Sequence, residues 1–110
     1  MILVTGGAGY IGSHFVLACL DRNRAIVVLD DLSTGFRDAV PDGVPFIQGD
    51  CSDRQILDKI TKRYGVTDVV HFAGKVVVPV SFSDPLGYYE INATKTRDLL
   101  AHCVGAGIRN

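Results

Sequence analysis

The sequence predicts an α/β fold, a doubly wound parallel sheet of about four strands in the order 3-2-1-4. Three observations predict it. Short apolar runs alternate with longer amphipathic stretches along all 110 residues, the pattern of right-handed βαβ units. A glycine-rich stretch, Thr5-Gly6-Gly7-Ala8-Gly9-Tyr10-Ile11-Gly12-Ser13-His14, separates the first apolar run from the first amphipathic one. An acid, Asp30, closes the second apolar run eighteen residues after Gly12. Strand, glycine turn, helix and a following acid form the context of a dinucleotide-binding loop. The sheet is therefore expected to be of the Rossmann type, incomplete at four strands.

Met1–Thr5 is the first strand, apolar on both faces as a central parallel strand is. The glycine stretch fits two overlapping patterns, Gly7-x-Gly9-x-x-Gly12 and Gly6-x-x-Gly9-x-x-Gly12. The chemistry is the same in both. Early glycines allow a tight turn with positive φ. Gly9 lets the backbone approach a pyrophosphate, and Gly12 lets helix and strand lie close. The helix start offers unpaired N–H groups and a positive dipole end to phosphates.

Tyr10–Arg22 reads as the first helix, with Ile11, Phe15 and Cys19 as an apolar stripe beside Ala18, and Asn23 as its left-handed stop. His14 reads as locally packed rather than as an acid–base group. Ala25–Leu29 is the second strand, ending at Asp30-Asp31. Asp30 stands close to the spacing of the acid that binds adenosine ribose hydroxyls. Its carboxylate, doubled by Asp31, repels a 2′-phosphate, so NAD is favoured over NADP. Asp31 reads equally well as a solvated loop acid.

Leu32–Pro45 is a loop in which Ser33-Thr34-Gly35 is placed to wrap the adenosine end. Val44–Gln48 is the third strand. Ser52 or Asp53 caps a helix carrying Ile56, Leu57 and Ile60, which Gly65 stops. Asp68–Phe72 is the fourth strand, closed by the small residues Ala73-Gly74. Lys75–Ser83 reads as an apolar loop. Asp84 and Pro85 open a long helix to about Val104, carrying Leu86, Tyr89, Ala93, Leu99, Leu100 and Cys103. Gly105 and Gly107 end it, and Ile108-Arg109-Asn110 approaches a further strand.

Composition excludes several classes. Hydrophobic residues make up 47% and charged residues 21%, a globular balance rather than a disordered one. A net charge of −1 opposes nucleic-acid or anionic-membrane binding. No apolar run approaches the roughly 20 residues of a membrane span, and no basic-then-apolar leader opens the chain. Cys19, Cys51 and Cys103 are odd in number and widely spaced. They suit neither a disulfide framework nor a zinc site, and point to a cytoplasmic protein.

The glycine stretch, Leu29-Asp30-Asp31-Leu32-Ser33-Thr34-Gly35, Gly49-Asp50, His71-Phe72-Ala73-Gly74 and Asp84-Pro85-Leu86-Gly87-Tyr88-Tyr89 together resemble the amino-terminal part of the UDP-glucose 4-epimerase family of extended short-chain dehydrogenases. The resemblance implies an NAD cofactor. Gly6, Gly9 and Gly12 would shape the phosphate turn, and Tyr10 and Ile11 would meet the pyrophosphate through their backbone. Asp30 would hold the adenine ribose, with Asp31, Leu32, Ser33, Thr34 and Gly35 lining that end. Asp50 and Cys51 would flank the adenine ring, Asp50 by hydrogen bonding. Phe72, Ala73, Gly74 and Lys75 would line the cofactor's middle. Where the family usually carries paired asparagines on the long helix, this chain has Ile91-Asn92.

The resemblance further implies a UDP-sugar substrate, oxidation and re-reduction at its C4, and a homodimer of the full-length protein. The family's catalytic Tyr-x-x-x-Lys pair is not found. Tyr10, Tyr64, Tyr88 and Tyr89 are followed four residues later by His14, Asp68, Asn92 and Ala93. Residues 1–110 are therefore expected to be the amino-terminal part of an NAD-binding domain, without the catalytic region or the sugar-binding domain, inactive alone and with an unpaired edge on strand four. A related 4,6-dehydratase or decarboxylase, and a non-catalytic NAD-binding module, are the alternatives.

Overall fold

A computed structural model describes residues Met1–Asn110. Four parallel strands, β1 (Ile2–Thr5), β2 (Ile26–Asp30), β3 (Phe46–Gln48) and β4 (Asp68–His71), lie in the order β3-β2-β1-β4. Helix α1 (Tyr10–Asp21) follows β1, and α2 (Arg54–Tyr64) follows β3. A 3-10 turn, Arg37–Ala39, interrupts the loop after β2. After β4 come α3 (Val78–Ser83), α4 (Pro85–Tyr89), a π-helical turn at Glu90–Thr94, and α5 (Lys95–Gly105).

The period-2 alternation of the central strands sorts the core into two halves. Leu3, Val27 and Leu29 face α2 and α5, packing with Leu57, Ile60, Leu99 and Cys103. Val4, Ile26 and Val28 face α1, packing with Val16 and Cys19 and with Val40 and Val44 of the long loop. Every residue of β2 is buried. The doubly wound arrangement follows from strands apolar on both faces.

Local chemistry sets the helix ends. Asp53 caps α2, its carboxylate accepting the N–H groups of Gln55 and Ile56. Gly65 closes the same helix in the left-handed region, at φ 59. Asn23, at φ 54, takes that conformation after α1, and Gly107 takes it after α5.

Three expectations need correction. The buried stripe of α1 is Gly12, Val16 and Cys19, whereas Ile11 is 67% exposed. The contact of Gly12 with the turn rotates the helix and carries Ile11 outward. The segment Lys75–Ser83 is not all loop, because Val78–Ser83 forms α3 with Pro79 in its first turn, a position that needs no N–H. The long helix runs without interruption from Pro85 to Gly105 but carries a π turn at Glu90–Thr94, and its face is largely uncovered: only Leu99 and Cys103 are buried, while Leu86, Tyr89 and Leu100 are exposed. At the edge of β4, the Val69 N–H donates to the Asn110 carbonyl at 2.8 Å.

Candidate functional site

The carboxyl ends of the four strands converge on the glycine turn. Gly6 has φ +71, and a Cβ there would lie 2.4 Å from the Ala73 nitrogen. Only glycine lets the turn after β1 rest against the segment leaving β4. A Cβ on Gly12 would fall 2.1 Å from the Gly6 carbonyl oxygen, so α1 starts in direct backbone contact with the turn. A Cβ on Gly9 would meet only the Gly6 oxygen, at 3.3 Å, which leaves its outer side open.

The first turn of α1 has unspent donors. The N–H groups of Tyr10, Ile11 and Gly12 find no acceptor in the chain. No side chain caps this helix, and no acid stands in its first turn. The helix therefore presents three free N–H groups and an unneutralised positive end. The Ser13 hydroxyl turns back to the Tyr10 carbonyl at 3.0 Å. His14 is exposed and edge-on to the Tyr10 ring, 4.9 Å between centroids.

Asp30 ends β2 with its side chain buried. One carboxylate oxygen accepts the Ala8 N–H at 2.9 Å, and the other accepts the Leu32 N–H at 2.9 Å. Each oxygen keeps a further lone pair. The Leu32 contact bends the chain so sharply that Leu32 takes φ 60. Asp31 is exposed and accepts the Ser33 N–H at 2.8 Å. The loop then returns, and the Phe36 N–H donates to the Ala8 carbonyl at 3.0 Å. Ser33 and Thr34 are exposed, and Gly35 is half-buried against Ala8.

Asp50 follows β3. One of its oxygens accepts both the N–H and the hydroxyl of Ser52, each at 2.8 Å. The other pairs with the Lys95 ammonium at the start of α5. Burial acts to raise the Asp50 pKa, but the Lys95 and Ser52 hydrogen bonds outweigh it and hold the carboxyl below its usual range. The same pair holds Lys95 above the usual lysine value. Burial first, and the Asp50 charge second, push the Cys51 thiol up to about 11, so Cys51 is an uncharged neighbour and not a nucleophile. Lys95 escaped the sequence reading because forty-five residues separate it from Asp50, and no local pattern links them.

Beyond β4, Phe72 packs on Phe15 of α1 at 5.4 Å between ring centroids. Ala73 touches the glycine turn. Lys75 is held by its main chain: its N–H donates to the Asn92 side-chain oxygen at 2.8 Å, and its carbonyl accepts the Asn92 amide at 2.8 Å. The Lys75 ammonium turns to Asp84, 3.4 Å away, and lies 5.5 Å from the centre of the Tyr88 ring. The structure thus brings the glycine turn, Asp30, Asp50 and the Phe72–Lys75 segment to one end of the sheet. It adds Asn92 from the π turn and Lys95 from the helix that follows it.

No helix is long and apolar enough to cross a membrane. Comparison with known proteins agrees with this geometry. Residues 2–110 match the NAD dependent epimerase/dehydratase family. A UDP-glucose 4-epimerase of Azospirillum brasilense is 47% identical over 107 residues, covering 97% of this chain and 31% of its own length. The solved UDP-glucose 4-epimerase of Thermus thermophilus in complex with NAD superposes with a TM-score of 0.93 at 41% identity, over 98% of this chain and 35% of that one. The enzyme of Thermotoga maritima with UDP-glucose gives 0.91 at 29% identity, over 97% of this chain and 35% of that one. The chain spans about a third of the length of these relatives. With nearly every residue inside the family match, the chain belongs to the NAD dependent epimerase/dehydratase family.

Proposed function

We propose that residues 1–110 are the NAD-binding portion of a UDP-glucose 4-epimerase, the amino-terminal part of its NAD-binding domain. The observation that carries this reading is the trio of unpaired N–H groups on Tyr10, Ile11 and Gly12, set above a glycine turn that is open at Gly9. That trio fits a pyrophosphate: three donors, a positive helix end and no side chain in the way. Asp30 stands at the end of the neighbouring strand with a free lone pair on each oxygen, and fits a ribose diol. The exposed Asp31 opposes a 2′-phosphate beside it, which favours NAD over NADP.

The roles are those the family resemblance implies, and the open glycine turn and the lone pairs of Asp30 support them. Gly6, Gly9 and Gly12 shape the phosphate turn, and Tyr10 and Ile11 donate to the pyrophosphate. Asp30 holds the adenosine ribose, with Asp31, Leu32, Ser33, Thr34 and Gly35 around it. Asp50 and Cys51 flank the adenine, and Phe72, Ala73, Gly74 and the Lys75 backbone line the middle. Bound there, NAD would supply the hydride acceptor and donor for oxidation and re-reduction at the C4 position of a UDP-sugar. The residues of this chain hold and orient it. The acid–base step belongs to the rest of the whole protein, because none of the four tyrosines has a lysine four residues on.

The solved relative holding UDP-glucose supports the substrate class. The exposed apolar side chains of Phe82, Leu86, Tyr89, Leu100 and Val104 support a homodimer of the whole protein. Three free thiols suit a cytoplasmic setting. The test is calorimetric titration of NAD into the chain and into Gly9→Val. Saturable 1:1 binding by the first and none by the second is expected. Equal binding by both would remove the glycine turn from the phosphate site.

A further inference from the structure

Three side chains and one main-chain carbonyl form a directed hydrogen-bond chain across the carboxyl end of the sheet. His71, the last residue of β4, lies between two threonines. Its Nδ1 is 2.6 Å from the Thr5 hydroxyl at the end of β1. Its Nε2 is 3.0 Å from the Thr96 hydroxyl on α5. The Thr96 hydroxyl is also 3.0 Å from the Asn92 main-chain carbonyl.

Counting protons fixes the direction. A carbonyl only accepts, so the Thr96 proton goes to Asn92. Toward His71, Thr96 can then only accept, so the hydrogen of the neutral ring sits on Nε2. That leaves Nδ1 bare, and it accepts the Thr5 proton. The order is Thr5 hydroxyl to His71 to Thr96 to the Asn92 carbonyl, with each proton used once.

The chain ends where the backbone departs from the α-helix. Asn92 lies in the π turn Glu90–Thr94. A threonine that bonds to the carbonyl four residues earlier competes with the helical ladder and favours such a distortion. From this turn the Asn92 side chain holds the Lys75 main chain through two hydrogen bonds of 2.8 Å. A Cβ on Gly74 would meet the Asn92 side-chain oxygen at 3.1 Å. The segment Phe72–Lys75 is thereby fastened at both ends. His71 precedes it in sequence, and Asn92, which the His71 chain sets, grips its last residue.

We propose that His71, held as the Nε2–H tautomer between Thr5 and Thr96, is a positioning residue that sets Asn92 and through it places Phe72–Lys75 against the middle of a bound dinucleotide. The proposal rests on the dinucleotide reading above. His71 transfers no proton to substrate, because both ring nitrogens are spent on threonines. Its contribution is to tie the end of β1, the end of β4 and the start of α5 into one rigid frame before the cofactor binds. The Thr5 side chain is fully buried, so that end of the chain has no solvent to fall back on, and an unmade bond there is costly.

The test uses the chain itself and two near-isosteric variants. Long-range proton–nitrogen spectra of the chain report the His71 tautomer, with a protonated Nε2 and a bare Nδ1 expected. A protonated Nδ1 would overturn the proposal, and this arm needs no variant to fold. NAD titrations then compare Thr96→Val, which keeps the shape and loses the hydroxyl, with Thr96→Ser, which keeps the hydroxyl. The valine variant is expected to bind about tenfold more weakly at an unchanged 1:1 ratio, as one lost hydrogen bond of about 1.4 kcal/mol would give, and the serine variant within about twofold of the parent. Equal binding by parent and valine variant, or equal loss in both variants, would overturn it. Failure of the parent chain to bind NAD would instead sink the dinucleotide reading on which the proposal rests.

Discussion

The carboxylate of Asp30 accepts the main-chain N–H of Ala8 at 2.9 Å, so the acid at the end of β2 and the glycine turn after β1 are one hydrogen-bonded unit. A residue expected only to meet a ribose also holds the loop that would meet the phosphates. On the dinucleotide reading proposed above, cofactor preference and loop stability are coupled at this position.

Replacing Asp30 therefore has two effects. Asp30→Asn keeps the volume but turns an amide N–H toward one of two N–H donors. We expect a loss of about 1.5–3 kcal/mol, the range for a hydrogen bond to a charged group, read as a lower midpoint in urea. An unchanged midpoint would mean that the two contacts do not stabilise the turn.

Asp31 separates the cofactor effect from the structural one, since it is exposed and accepts only the Ser33 N–H. Asp31→Arg is expected to leave stability within about 0.5–1 kcal/mol of the parent. It should also shift the ratio of NADP to NAD affinity at least several-fold toward NADP, because a repelling carboxylate becomes a phosphate partner. Paired titrations with the two dinucleotides measure the ratio. No shift would take Asp31 out of the ribose region.

At Gly12 the added methyl meets backbone and not a flexible side chain, with the Gly6 oxygen at 2.1 Å. Gly12→Ala is expected to cost roughly 3 kcal/mol or more, at or above the range for overpacking, and to lower the thermal midpoint accordingly. Gly9→Ala, whose Cβ has only a 3.3 Å contact, is expected to fold normally. Similar melting of the two variants would contradict the close approach of α1.

Burial holds the His71 pKa below its ordinary value of 6.5. Its neighbours in the hydrogen-bond chain, Thr5 and Thr96, are uncharged. As pH falls through about 6.5, the unfolded chain takes up a proton at this site before the folded chain does, and stability falls. The contribution is intact above about pH 6.5 and is lost below it, with a slope of at most about 1.4 kcal/mol per pH unit. Urea midpoints of the chain and of His71→Gln should diverge above about pH 6.5 and converge as pH drops. A pH-independent difference would count against a neutral folded His71.

The Lys95–Asp50 pair is part-exposed, so its direct contribution is small, about 0.5–1 kcal/mol at most. Lys95→Met should raise the Asp50 pKa toward the ordinary aspartate value. Carbon-detected titration of the Asp50 carboxyl reads this directly, and an unmoved pKa would assign the shift to Ser52 alone.

The sheet and the glycine turn were legible in the order of residues alone. Strands apolar on both faces, helices between them and glycines at fixed offsets are local patterns, each set by residues within one turn or one strand of each other. The order 3-2-1-4 followed from the dinucleotide-binding context of the glycine turn, whose sheets take that order, and it agrees with the observed β3-β2-β1-β4. Local stops at Asn23 and Gly65 were equally legible, because asparagine and glycine take the left-handed region readily, whereas Leu32, at φ 60, gave no such signal. The rest depended on contacts between distant segments. Which face of α1 is buried depended on the contact of Gly12 with Gly6, which exposes Ile11. The π turn at Glu90–Thr94 departs from the α-helical period, and the pairing of Asp50 with Lys95 and the links from His71 to Thr5 and Thr96 join residues 25 to 66 positions apart. Hydrogen bonds of that span leave no period in the sequence. They form only once the sheet has brought the carboxyl ends of its strands together, where buried hydroxyls and a half-buried imidazole must find partners in one another.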